Sequence, residues 1–150
     1  MKKRLAMLVL AGAMVTSSLT GCGLKDSATV ATVAGDEIPA GLANFYARMT
    51  QAQYESMYSS YLGDNMWTTE ASEGKTYEKL VKDEVLKDLE NMYLLEDHMD
   101  DYKISLSDDE KKAIKDAAKE FSKDNDKDDK EKVSGDTEYV ERYLTLATIK

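Results

Sequence analysis

The feature that most limits the fold is a run of apolar residues from Tyr77 to Tyr102. Tyr77, Leu80, Val81, Val85, Leu89, Met92, Leu95, Met99 and Tyr102 recur in steps of three and four. That spacing puts them on one face of an α-helix. Thr76 stands where the helix needs an N-cap. A single apolar stripe of this length holds its helix only when other elements cover it. The rest of the chain must therefore supply partners.

It does so mostly with further helices. Ala40 to about Leu62 is helical in pattern, with Leu42, Phe45, Tyr46 and Met49 on one face and Tyr54, Met57, Tyr58, Tyr61 and Leu62 continuing a tyrosine and methionine stripe. Pro39, the only proline, suits the first turn of that helix. Gly63-Asp64-Asn65 ends it, and Met66 to Gly74, with Trp67, reads as a loop. Ser107-Asp108-Asp109-Glu110 is a capping box. It opens a third helix through Ala113, Ile114, Ala117, Ala118 and Phe121. Residues 124–132 are all Asp, Asn, Lys or Glu and read as a solvated loop or a frayed helix end. Asp136 or Thr137 caps a last helix carrying Tyr139, Val140, Tyr143, Leu144, Leu146 and Ile149. That pattern is still running at Lys150, so the fold is expected to be incomplete at this end. Ahead of all the helices, the β-branched stretch Thr29 to Ala34 reads as a strand, with a turn at Gly35-Asp36 and a brief return at Glu37-Ile38. The expected fold class is mainly α: a short N-terminal β-strand or hairpin followed by about four helices, in one domain over residues 29–150.

The first 21 residues have a separate logic. Met1-Lys2-Lys3-Arg4 is basic, Leu5 to Val15 is uncharged and apolar, and small residues follow. These are the three parts of a secretory signal, and the apolar run is shorter than the roughly 20 residues a membrane-spanning helix needs. Leu19-Thr20-Gly21-Cys22 resembles the bacterial lipobox, and Cys22 is the only cysteine of the chain. The resemblance implies that diacylglycerol is attached to the Cys22 thiol and that cleavage falls before it. Residues 1–21 are then a lipoprotein signal peptide and residues 22–28 a lipidated polar tether. The expected location is the cell membrane, facing outside the cytoplasm. Two acyl chains anchor stably, at about 0.8 kcal/mol per buried methylene.

Removing residues 1–21 also removes Lys2, Lys3 and Arg4, leaving 17 basic residues against 29 acidic ones, a net charge of −12. So acidic a body excludes nucleic acid as a partner, and anionic lipid heads would repel it. With its one cysteine taken by lipid, no disulfide can staple the domain. No catalytic constellation emerges. His98 is the only histidine and reads as a helix-surface residue, without the companions that a zinc site or nucleophilic dyad needs. Asp124, Asp126 and Asp128 alternate like the opening of a calcium loop, but the sixth position is Asp129 rather than Gly and the twelfth is Gly135 rather than Glu. No metal and no cofactor is expected. The Tyr/Met stripe has two readings. It is core packing, or it is an adaptable apolar groove of the kind that flexible methionine and amphipathic tyrosine make. In the second reading Tyr46, Tyr54, Met57, Tyr58 and Tyr61 are the contact residues, and an acidic rim would attract basic clients.

Val30-Ala31-Thr32-Val33-Ala34-Gly35-Asp36-Glu37-Ile38, leading directly into a helix after a lipobox and tether, resembles the start of PrsA/SurA-type foldases. The long helix, followed by Tyr102-Lys103-Ile104-Ser105-Leu106-Ser107-Asp108-Asp109-Glu110, is similar to the next part of that family's N-terminal chaperone domain. The resemblance covers roughly residues 29–150. It implies a membrane-tethered chaperone that binds unfolded or newly exported polypeptides through their exposed apolar segments, without ATP. Family members often carry a parvulin-type prolyl isomerase domain, and nothing in these 150 residues resembles one. The alternatives are an isomerase whose catalytic domain lies beyond residue 150, or a surface lipoprotein with a ligand-binding or structural role.

Overall fold

The computed structural model describes residues 25–63 and 65–150. Cys22 and the signal segment lie outside the described residues. The chain opens with an antiparallel hairpin of β1 (Thr29–Val33) and β2 (Asp36–Pro39), in which Ala31 pairs with Ile38, Thr32 with Glu37 and Val33 with Asp36. The two loop residues, Ala34 at φ 54° and Gly35 at φ 102°, take the left-handed conformation that tight two-residue hairpins require. Val33 and Ile38 point into the core.

Helix α1 (Ala40–Leu62) begins directly after Pro39, whose extended backbone occupies the N-cap position and offers no side-chain acceptor. The free N–H groups of the first turn bond instead to main chain. Ala40 donates to the Ala28 carbonyl at 2.7 Å and Gly41 to the Asp26 carbonyl at 2.8 Å. The end of the segment read as a tether is therefore stitched into the fold. Asp26 is also held through its side chain: Ser134 donates its hydroxyl to Asp26 Oδ1, and Asn44 donates to the same Ser134 oxygen, both at 2.9 Å.

After α1 the chain departs from the expected loop. Met66–Thr68 is a single 3₁₀ turn with Met66 buried beneath it. A second small hairpin follows, β3 (Glu70–Ser72) and β4 (Lys75–Thr76), turned by Glu73 at φ 49° and Gly74 at φ 75°. Helix α2 (Tyr77–Asp97) is capped by the Thr76 hydroxyl, which accepts from the Lys79 N–H. It ends earlier than the apolar periodicity. Its last turn has no basic residue, and Asp97, Asp100 and Asp101 gather where the helix dipole disfavours negative charge. The chain leaves through a 3₁₀ turn at Asp100–Tyr102 and a left-handed Lys103, so Met99 and Tyr102 are not on α2 and Tyr102 is exposed.

Helix α3 (Asp108–Asp124) has both reciprocal bonds of its capping box: Glu110 N–H to Ser107 Oγ at 3.2 Å, and Ser107 N–H to Glu110 Oε2 at 2.8 Å. These bonds hold the Glu110 carboxyl below its ordinary pKa. The charged stretch after it forms a helix of its own, α4 (Lys127–Val133), and not a loop. Asp126 caps it by accepting from the Asp129 N–H at 2.9 Å; Asp128 and Asp129 fill the first turn and Lys130 and Lys132 the last, in the order the dipole favours. It closes in a left-handed cap at Ser134, with Gly135 N–H reaching Lys130 O at 2.7 Å. Helix α5 (Thr137–Ile149) ends the described chain; Asp136 sits at its cap position but makes no side-chain cap bond. The class is mainly α as expected, with α4 bringing the helices to five.

Helices α1, α2 and α5 pack on one another with the first hairpin against them, α3 lies on α5, and α4 rests on α1. Ile38, Leu42, Leu89 and Leu146 are fully buried at the centre. A second cluster joins Phe45, Ala118 and Val140, with Phe121 edge-on to Phe45 at 5.4 Å. An ion pair ties α5 to α2: Arg142 donates twice to Glu96, both bonds at 2.6 Å, and its guanidinium lies 4.6 Å from the centre of the Tyr93 ring.

Candidate functional site

The tyrosine and methionine stripe resolves into two populations. Tyr46 is half-buried against the core; its hydroxyl donates to Asp88 Oδ2 at 2.6 Å and its ring lies 4.9 Å from that of Tyr143. Burial, and then the adjacent Asp88, push its pKa well above 10. Asp88 in turn accepts from Lys150 at 2.6 Å and is held below the usual carboxylate range, first by Lys150 and then by Tyr46. Tyr46 is thus committed to joining α1, α2 and α5.

Further along α1 the same stripe leaves the core. Tyr54 is half-buried, with its hydroxyl 3.3 Å from Glu84 Oε2 on α2. Met57 is 54% exposed, Tyr58 41% and Tyr61 85%. Tyr54, Met57, Tyr58 and Tyr61 stand at i, i+3, i+4 and i+7, so they share one helix face. The Tyr54 ring lies 5.6 Å from Tyr58 and 6.3 Å from Trp67, making an aromatic run across α1 and the following turn. Trp67 is fixed by donating Nε1–H to Glu55 Oε1 at 2.8 Å, and Gln51 donates to the same oxygen at 2.9 Å.

Two features of this surface escape a reading of apolar spacing. Trp67 belongs to it, though it lies on another element. And residues 49–62 carry one charge, Glu55, in a chain whose residues are 33% charged. The polar positions there are Thr50, Gln51, Gln53, Ser56, Ser59 and Ser60. An exposed surface of Tyr, Met, Ser and Gln offers large apolar contact at low conformational cost, beside short groups that donate or accept hydrogen bonds. The missing charge was visible in the sequence and is the signal that would have marked it.

Two shallow grooves flank the patch. One, of about 280 Å³, runs between α1 and the start of α2, with Ala47, Gln51, Trp67 and Val81 in its wall. The other, of about 250 Å³, lies along the second hairpin and α2 and includes Leu80 and Glu84, the residue that meets the Tyr54 hydroxyl. The patch is suited to reversible contact with an apolar chain segment. His98 caps the end of α2 with its ring exposed, 3.0 Å from Asp101. Among the described residues no group of His, Cys, Asp and Glu is arranged to hold a metal ion, and no helix is long and apolar enough to cross a membrane.

Residues 3–134 match the model of a family described as the SurA-like N-terminal domain. No curated protein and no solved structure matches the chain.

Proposed function

We propose a function from the premise that the chain belongs to the SurA-like N-terminal domain family, and so to proteins of the chaperone type. The chain is a membrane-anchored, extracytoplasmic chaperone that captures exposed apolar segments of exported polypeptides without ATP. The observation that carries this reading is the exposed, nearly uncharged Tyr/Met face of α1. A folded domain a third of whose residues are charged gains nothing for its own stability from leaving Met57, Tyr58 and Tyr61 in water.

The mechanism needs only equilibrium binding. A client segment laid on Tyr54, Met57, Tyr58 and Tyr61 removes their apolar surface from water, at roughly 1.5–3 kcal/mol for each large side chain fully covered. Ordering the segment consumes much of that gain. Net affinity of micromolar order or weaker follows, which allows release without a nucleotide cycle. Methionine side chains adapt to differing client shapes, while the tyrosines supply rigid area. The Cys22 lipid would place this surface where chains emerge from export, and the signal segment before it supports that location.

The test is suppression of aggregation of a reduced secreted protein by the mature chain. Suppression at several-fold excess, lost in a Met57→Ser/Tyr58→Ser/Tyr61→Ser variant that keeps its melting temperature, is the expected outcome. Equal suppression by that variant would remove the site from consideration. Anchoring is read separately: Cys22→Ser should move the protein from the membrane fraction to the soluble one.

A further inference from the structure

We infer that this surface selects apolar segments flanked by lysine or arginine; the inference rests on the chaperone reading and names its client class. The apolar face ends in carboxylates. Glu55 lies on α1 itself and Glu84 on α2 meets the Tyr54 hydroxyl; Glu73 shares the groove along the second hairpin with Glu84, Glu70 lies on the same hairpin, and all four are exposed. Among the described residues none of the four makes a salt bridge. Their bonds are to neutral donors: Glu55 accepts from Trp67 and Gln51, Glu70 from the Gly74 N–H, and Glu84 from Tyr54.

The nearby cations are differently placed. Lys75 is bound to Asp83 at 2.7 Å and Lys82 to Glu78, so each is neutralised by a carboxylate of its own. Lys79 and Lys87 remain, together with Arg48, which lines the groove beside Trp67 and donates to Gln51 at 2.8 Å. Across residues 48–88 there are eight acidic side chains and five basic ones. The nearly uncharged face of α1 thus lies beside a region of net negative charge whose carboxylates make no salt bridge among the described residues. A client carrying Lys or Arg beside its apolar residues satisfies both parts at once, whereas one carrying Asp or Glu meets repulsion there. Exposed charges of this kind act mainly through long-range attraction and are screened by salt.

The experiment uses three synthetic peptides with one aromatic and aliphatic core, flanked by Lys-Lys, Ser-Ser or Glu-Glu. Each is titrated with the mature chain carrying Cys22→Ser and read by fluorescence anisotropy. The Lys-flanked peptide should bind about tenfold more tightly than the Glu-flanked one at low salt, with the gap falling to about twofold at 0.5 M salt, where the Debye length is only a few ångströms. Glu73→Gln/Glu84→Gln should at least halve the low-salt gap, and Tyr58→Ser/Tyr61→Ser should weaken all three peptides together. Equal binding of the three, or a preference for the Glu-flanked one, overturns the inference while leaving the chaperone reading standing. A gap untouched by Glu73→Gln/Glu84→Gln also overturns it, because the selectivity would then arise elsewhere. Failure of every peptide to bind counts against the chaperone reading itself, and the inference falls with it.

Discussion

Helix α1 has a first half and a second half that share a backbone and little else. From Ala40 to Phe45 nearly every side chain is buried, and Gly41 is packed so closely beneath the Tyr139 ring that a Cβ there would collide with it. From Met49 to Tyr61 no residue is buried. One helix therefore acts as a structural core at its start and as a displayed surface toward its end. Stability and binding should be separable along it, because substitutions in the two halves act on different free energies.

The largest effect should come from the first half. Leu42→Ala removes a fully buried side chain from the centre of the molecule and should cost about 3–5 kcal/mol, read as a shift in the urea unfolding midpoint. Ser134→Ala should come next, at about 1–3 kcal/mol. It strips the shared hydroxyl from Asn44 and Asp26, leaving part-buried polar groups short of partners. An alkaline titration of stability should report on Tyr46. Tyr46 ionises at higher pH folded than its ordinary value of 10, chiefly through burial. Its contribution is therefore complete below pH 10 and is lost as pH rises toward the folded value. Stability should fall above about pH 10, and Tyr46→Phe should flatten that fall. The smallest effect on stability belongs to the second half: Tyr58→Ser/Tyr61→Ser should move the unfolding midpoint by no more than about 0.5 kcal/mol. A large loss there would mean that the second half is core after all, and the contrast would collapse.

How much of this was legible beforehand follows from what each signal depends on. The caps of α2 and α3 were readable because capping is local: Thr76 and Ser107 bond to main chain three residues away. The first hairpin was readable for the same reason. The second was missed because β3 and β4 are too short to alternate visibly, and the Glu73-Gly74 turn lay in a stretch without apolar rhythm. Helix α4 was hidden by composition: seven residues with Val133 as their one apolar side chain give no periodicity, and the helix is declared by Asp126 and the order of its charges. The stripe on α1 was found as a stripe, but periodicity cannot tell a covered face from an open one. That distinction depends on where α2 and α5 lie, and the absence of charge was its only local trace. The lower end of α2 failed in the opposite sense, since Met99 and Tyr102 keep the period after the helix has stopped.

The stitching of Asp26 and Ala28 to the start of α1 has a mechanical consequence. Any pull on the chain ahead of residue 26 is delivered to the root of α1, through two main-chain bonds and the Ser134 hydroxyl. If Cys22 is the point of attachment, only three residues lie between it and Asp26, a reach of about 14 Å at full extension. Helix α1, at 23 residues, is about 34 Å long. The domain is then hung close to its support by a short leash tied at the foot of a rod whose far end carries the exposed tyrosines. Lengthening the leash would let the rod swing more freely, but it would not move the knot.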